Sequence, residues 1–327
     1  MRQVQFDNPG EPSVLYVADA PVPQPTTGQV LIKVVAAGVN GPDLFQRQGS
    51  YPPPPEASPI LGLEVAGEIA AVAQGETRWQ VGEQVCALVP GGGYSEYVLT
   101  WAGHCLPLPQ GWSMLEAAAL PETFFTVWGN LFMRGALKRG ESVLLHGGSG
   151  GIGSTAIMLA KAFGCRVIAT SGTDEKRDYC LALGADAAFD YHDGAFVEPV
   201  LAFTDGRGVD LVLDVAAGKN INANLRALAY DGRMISIATR DGRMAEVDVA
   251  MLMSKRIVWT GSTLRSQSVS AKAEIAAQLR HQVWPMLERG QLKPTIHKVF
   301  PLAQAAEAHQ LLESGAHMGK VVLTLEG

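Results

Sequence analysis

Apolar and polar positions keep one rhythm over the first third of this chain and another after it. Residues 1–120 carry short apolar runs separated by Gly and Pro. VLIKVVAAGV (30–39), EVAGEIAAVA (64–73) and QVCALV (84–89) read as strands, and GGGYSEYVLT (91–100) starts as a turn and becomes one. Pro21, Pro23, Pro25 and the run Pro52–Pro55 read as loops, because proline supplies no N–H to a ladder. Closely spaced strands without long helices predict a rolled, barrel-like β domain.

The rhythm changes near Leu115. LEAAALPETFFTVWGNLFMRG (115–135) predicts a helical stretch broken at Pro121. Apolar strands and helical patterns then alternate: VLLHGG, a helix over 154–163, RVIAT (166–170), a helix over 174–183, AAFDY (187–191), LVLDVA (211–216), RMISIA (233–238) and IVWTGS (257–262). Such alternation predicts βαβ units on a parallel sheet. A helix is expected over 271–288. The closing KVVLTLEG (320–327) alternates at Val321, Leu323 and Leu325 and is expected to rejoin the N-terminal domain. The resulting fold class is α/β: a doubly wound parallel sheet inserted into a β-rich domain, with a cleft between them.

Within this pattern one segment carries chemistry. Val143, Leu144 and Leu145 run into a glycine cluster that opens directly into a helix, with Gly148, Gly150 and Gly153 at G-x-G-x-x-G spacing. In a strand–turn–helix context the first glycine permits the tight turn, the second lets a phosphate approach the backbone, and the third lets helix and strand pack closely. Backbone N–H groups of Gly151 and Ile152 at the helix start would then face a pyrophosphate.

Composition narrows the alternatives. The 327 residues are 47% apolar and 18% charged, with a net charge of −6 and no basic stripe, which argues against a nucleic-acid partner. The N-terminal MRQVQFDNPGEPSV lacks the apolar run of a signal peptide, and nowhere do roughly 18 apolar residues run together to span a bilayer. Cys86, Cys105, Cys165 and Cys180 are scattered, with no C-x-x-C pair, so free thiols in a reducing cytoplasm are expected.

The segments GQVLIKVVAAGVN (28–40), ILGLEVAGEI (60–69), GGSGGIG (147–153) and MGKVVLTL (318–325) together resemble the medium-chain dehydrogenase/reductase superfamily over essentially the whole chain. Within it the chain looks like the zinc-free quinone oxidoreductases. DLFQRQGSYPPPP (43–55) and STLRS (262–266) are most similar to the tumour-suppressor-inducible quinone reductase branch. The resemblance implies a GroES-like catalytic domain over 1–121 and 267–327, and a Rossmann domain over 122–266. Where zinc members carry a ligand cysteine and histidine, this chain has Asn40 and Leu63, which supply neither thiolate nor imidazole. The cysteine-rich structural-zinc lobe is also missing, and His104 beside Cys105 is an isolated pair. No metal is therefore expected, and without a Lewis acid alcohol dehydrogenation is disfavoured.

An acidic side chain ending the second strand selects NAD through the ribose hydroxyls. Here the strand ends in Thr170-Ser171-Gly172-Thr173, which leaves room for a 2′-phosphate that Lys176 can neutralise. The resemblance adds Tyr191 beside Gly172 and points to NADPH. Two alternatives stand beside this: Asp174 turning back to a ribose, or Lys176 as a solvated charge on a helix whose start Asp174 and Glu175 favour. By resemblance Thr263 and Leu264, with the neighbouring Arg265, hold the nicotinamide carboxamide.

Quinone reduction asks chiefly for proximity, orientation and polar contacts to an oxygen gaining charge. Candidate catalytic groups are Asn40, Tyr51 and Thr126, each with a plainer alternative: a turn before Gly41-Pro42, loop packing, and satisfaction of a helix carbonyl. Asp43 reads as a helix cap, Glu64 as a structural anchor, and Lys320 as either a cleft residue or a surface lysine. The apolar strand at 257–262 is expected at the sheet edge, where the resemblance implies a homodimer. Three functions follow: an NADPH-dependent reductase of small quinones, an NADPH-dependent enone or alkenal reductase for which no acid is evident, and a weakly active NADPH-binding structural or regulatory protein.

Overall fold

The computed structural model describes residues 1–55 and 57–325, so the last two residues of the predicted strand 320–327, Glu326 and Gly327, lie outside the described residues. The chain divides into two compact units, Met1–Phe125 with Arg265–Gly327, and Thr126–Leu264.

The first unit opens with an antiparallel pair, β1 (Arg2–Gln5) and β2 (Tyr16–Asp19). There follow β3 (Gln29–Val39), α1 (Gly41–Arg47), β4 (Glu64–Val72), β5 (Gln84–Leu88), β6 (Tyr97–Trp101) and β7 (Cys105–Pro107). The long β3 organises the sheet: it pairs with β4 along one edge and with β6 along part of the other. Register shifts at Leu31/Ile32 and Val34/Ala36 mark bulges, which bend and twist a strand. Short helices α2 (Met114–Ala117) and α3 (Pro121–Val127) end this stretch. Pro121 thus starts a helix, where its missing N–H costs nothing.

In the second unit β8 (Ser142–His146), α4 (Gly151–Ala162), β9 (Arg166–Thr170), α5 (Asp174–Ala182), β10 (Ala187–Phe189), α6 (Val197–Phe203), β11 (Val209–Asp214), α7 (Ile221–Ala227), β12 (Leu228–Ser236), α8 (Val249–Ser254) and β13 (Val258–Gly261) alternate. All six strands are parallel, in the order β10-β9-β8-β11-β12-β13. This is the doubly wound order, with its reversal between β8 and β11. Strand β8 is buried throughout, as expected of an inner parallel strand covered on both faces. The edge position of β13 matches the expectation from its sequence.

The chain then returns to the first unit. The helix expected over 271–288 is two helices, α9 (Val269–Gln282) and α10 (Trp284–Glu288), because Pro285 at the start of α10 cannot donate into the preceding turn. After β14 (Ile296–Pro301) and α11 (Ala305–Ser314), β15 (Lys320–Thr324) pairs antiparallel with β3, so the final strand does rejoin the N-terminal sheet. Strand order in that sheet is β14-β15-β3-β4-β5-β7, with β6 on β3. Its ends, β14 and β7, are not paired with each other among the described residues, which makes it an open sheet and not a closed barrel. Val30, Ile32, Val65, Ile69, Val85 and Val321 form the heart of its core.

Candidate active site

The glycine loop of the second unit follows β8, at the point where the strand order reverses. Its three motif glycines differ in what surrounds them. A Cβ on Gly153 would lie 2.3 Å from Gly147 O and 2.5 Å from Gly148 Cα, so the helix sits directly on the loop. A Cβ on Gly148 would meet Ala169 Cβ and Cys180 Sγ, both at 2.8 Å. At Gly150 the nearest atom would be Gly147 O at 3.6 Å, an ordinary contact, so the fold itself does not demand glycine there. Gly150 caps α4, and the first helical bond runs from Ser154 N–H to Gly150 O at 2.9 Å. The N–H groups of Gly151, Ile152 and Gly153 precede that bond and belong to the helix end that attracts anions. A pyrophosphate fits this cradle: its charge meets a helix N-terminus, and Gly150 leaves its approach clear.

The end of β9 borders the loop, with Gly148 N–H donating to Thr170 O at 2.9 Å. Ser171 is buried and Thr173 caps α5, its Oγ accepting the Lys176 N–H at 3.3 Å. Asp174 is 94% exposed and pairs with Arg177. Arg177 also donates to Ser171 O at 3.0 Å, which brings a cation to this end of the strand. Tyr191 lies over Gly172: a Cβ there would come within 2.9 Å of the phenol oxygen. Thr263 is exposed and Leu264 buried, directly after β13.

Asn130, which sequence reasoning missed, sits buried in the π-helical stretch Trp128–Arg134. Its amide donates to Thr126 O at 2.8 Å and its oxygen accepts from Ser262 Oγ at 2.8 Å. Thr126 itself is buried in α3. The buried His146 at the end of β8 bonds Thr170 Oγ1 at 2.9 Å and Asn224 Oδ1 at 2.7 Å, and burial lowers its pKa.

The first unit holds a buried polar cluster. Asn40 Nδ2 donates to Glu64 Oε1 at 2.8 Å, and Asn40 Oδ1 accepts from Lys320 Nζ at 2.6 Å. Lys320 also meets Glu64 Oε1 at 2.5 Å and is only 3% exposed. The surface reading of Lys320 is therefore overturned, and the amide of Asn40 is engaged on both sides by its own chain. Glu64 Oε2 accepts the Glu122 N–H at 2.8 Å, an anchoring role in keeping with its sequence reading. Asp43 lies in the first turn of α1 and accepts the N–H groups of Asn40 at 2.8 Å and Gly62 at 2.9 Å. Burial outweighs these bonds and pushes its pKa up to about 6. Tyr94 Oη bonds both Asp43 at 3.2 Å and His309 Nε2 at 3.2 Å. Burial lowers the His309 pKa to about 3.

Next to this cluster Arg265 donates to Gln46 Oε1 at 2.7 Å and Pro90 O at 3.0 Å, and its guanidinium stands 5.8 Å from the ring centre of Tyr51. Lys272 Nζ donates to Arg265 O at 2.8 Å. Glu122 was also missed. An acid directly after the proline of an otherwise apolar helix start, AAALPETFF, was the available signal. Burial, with Glu64 and Asp43 nearby, raises its pKa to about 8.

The chain matches the model of an alcohol dehydrogenase GroES-like domain over residues 26–110 and that of a zinc-binding dehydrogenase over 151–279. It is 33% identical to the quinone oxidoreductase of Rattus norvegicus over 99% of this chain and 98% of that one. The chain belongs to the medium-chain dehydrogenase/reductase superfamily. Among solved members of this fold, a mycobacterial protein complexed with NADPH superposes with a TM-score of 0.90 at 30% identity, covering 99% of this chain and all of that one. An enoyl reductase superposes with a TM-score of 0.89 at 26% identity, covering 99% and 98%. As a member of this NAD(P)-dependent superfamily the chain is an oxidoreductase. Among the described residues no helix is long and apolar enough to cross a membrane, and no group of three or more His, Cys, Asp or Glu could hold a metal ion.

Proposed function

We propose that the chain is a cytoplasmic, homodimeric reductase that transfers hydride from NADPH to small quinones without a metal ion. One observation carries the cofactor choice: the end of β9 beside the glycine loop offers Gly172 and Arg177 where an NAD site needs a carboxylate, with Lys176 in the first turn of α5 and Asp174 exposed. In this reading Gly148, Gly150, Gly151, Ile152 and Gly153 hold the pyrophosphate. Ser171, Gly172, Lys176 and Tyr191 surround the 2′-phosphate, and Thr263 and Leu264 orient the nicotinamide. Bound NADPH supplies the hydride. The quinone assignment rests on the full-length similarity to quinone oxidoreductases. The metal-free reading is supported by Asn40 and Glu64, which share the ammonium of Lys320, a cation the chain provides itself. Tyr51 and Thr126 are the polar groups offered to the substrate. Asn40 keeps a positioning role, since its amide is already bonded on both sides.

A second reading, reduction of enones or alkenals, gains from the similarity to an enoyl reductase and from Glu122, a buried acid that this chemistry needs. Following nicotinamide absorbance while NADPH is offered with ortho-quinones, para-quinones or a 2-alkenal tests both. Turnover of quinones supports the first reading. Turnover of the alkenal alone replaces it with the second, and tight NADPH binding without oxidation replaces both with a structural or regulatory role.

A further inference from the structure

The loop that leaves β11 holds one residue in a conformation that its side chain disfavours. Ala217 has φ 55° and ψ −144°, a combination that glycine adopts readily and residues with a Cβ rarely. Such a conformation persists only where the surroundings over-determine it. Asp214, fully buried at the end of β11, accepts the Ala216 N–H at 3.0 Å and the Ala217 N–H at 2.9 Å on Oδ1. Its Oδ2 accepts from Ser236 Oγ of β12 at 2.8 Å, and Trp259 Nε1 of β13 donates to that hydroxyl at 3.0 Å. The carbonyls are fixed too: Ala216 O accepts the Asp241 N–H at 2.9 Å and Ala217 O the Asn220 N–H at 3.1 Å. A buried carboxylate is costly unless its oxygens are bonded, and Oδ1 is bonded to this turn alone among the described residues.

The turn lies on the crevice of the parallel sheet. Strand β11 is the neighbour of β8 across the point where the strand order reverses, and ligands bind there beyond the carboxyl ends of the strands. The glycine loop after β8 forms one lip of that crevice and the turn after β11 the other. A Cβ on Gly147 would stand 3.7 Å from Val215 Cγ2, so the two lips are in contact range. Val215 and Ala216 are half-buried, whereas Asp214 and Ala217 are buried. We infer that Asp214 is a positioning residue of the cofactor site: it holds Ala217 in its strained turn so that Val215 and Ala216 wall the crevice beside the glycine loop. This rests on the NADPH reading proposed above.

The physical logic is preorganisation. Without the anchor Ala217 relaxes to an unstrained conformation, and Val215 and Ala216 move with it. The nucleotide must then restore the turn as it binds, and that cost is read as lost affinity. A glycine at 217 takes the same angles without strain, so it needs the carboxylate less. The role of Asp214 is therefore measurable as a coupling between the two positions.

The test is calorimetric titration of the whole chain with NADPH, each variant held below its own Tm. Asp214→Ala weakens NADPH binding by roughly tenfold, and adding Ala217→Gly recovers most of that loss. Asp214→Asn, whose Oδ1 still accepts both N–H groups, stays within about threefold of wild type. Ser236→Ala frees only Oδ2 and weakens binding by about two- to fivefold, which keeps the test decisive if Asp214→Ala does not fold. Without nucleotide, hydrogen exchange at the Ala216 and Ala217 amides is slow in wild type and fast in Asp214→Ala. A folded Asp214→Ala that lowers Tm yet binds NADPH like wild type would overturn the positioning role and leave the cofactor reading standing. So would a loss of affinity that Ala217→Gly does not recover. Failure of wild type to bind NADPH, with both amides slow to exchange, would instead remove the cofactor reading on which that role rests.

Discussion

Lys320 illustrates how a single residue escapes a linear reading. Its partners Asn40 and Glu64 lie 280 and 256 positions away, and nothing in GKVVL separates a buried ammonium from a surface one. Removing one member of such a pair leaves a buried charge uncompensated. Lys320→Met should therefore cost about 3–5 kcal/mol of stability, read as a lowered Tm, with partial recovery when Glu64→Gln is added. Lys176, by contrast, is proposed for the phosphate site from the strand end it follows. Lys176→Glu should raise the KM for NADPH far more than that for NADH, and equal effects would remove it from the phosphate site. Two buried groups predict opposite limbs of stability against pH. His309 is depressed from 6.5 to about 3, so the stability it contributes is present above pH 6.5 and is lost as pH falls towards 3. Glu122 is raised from 4.5 to about 8, so its contribution is full below pH 4.5 and is lost as pH rises through 8. Thermal melts of His309→Gln should lose the acid limb and those of Glu122→Gln the alkaline one.

At the scale of elements, the glycine loop separates folding from binding. The 3.6 Å clearance at Gly150 means that Gly150→Ala should cost the fold no more than about 1 kcal/mol, while crowding the phosphate and weakening NADPH at least roughly tenfold, about 1.4 kcal/mol. Gly153→Ala drives a methyl against Gly147 O and should lower stability by about 1–3 kcal/mol or more. Paired melts and calorimetric titrations of the two variants distinguish these outcomes. The inner strands β8, β9 and β11 were readable because burial on both faces forces a continuous apolar run. Strand β14 was not: only Phe300 of its six residues is buried, so IHKVFP carries no alternation. The β1–β2 pair is similarly short, with β2 largely exposed. The polar cluster was invisible for another reason, since β3, β4, α3 and β15 come together only through long-range pairing.

For the whole molecule, the order β10-β9-β8-β11-β12-β13 leaves β13, among the described residues, with one unpaired edge, and its Val258 and Trp259 are exposed. An apolar edge is satisfied by a second copy of the same strand. Light scattering should report twice the 34.7 kDa chain mass, and Val258→Lys should halve it. A monomeric wild type would remove the proposed dimer and leave the site of each chain intact. The most direct measurement is calorimetric titration of purified, metal-analysed protein with NADPH and with NADH. The account predicts stoichiometric binding, tighter for NADPH, in protein free of zinc. Absence of affinity for either nucleotide, or one tightly held zinc per chain, would contradict it.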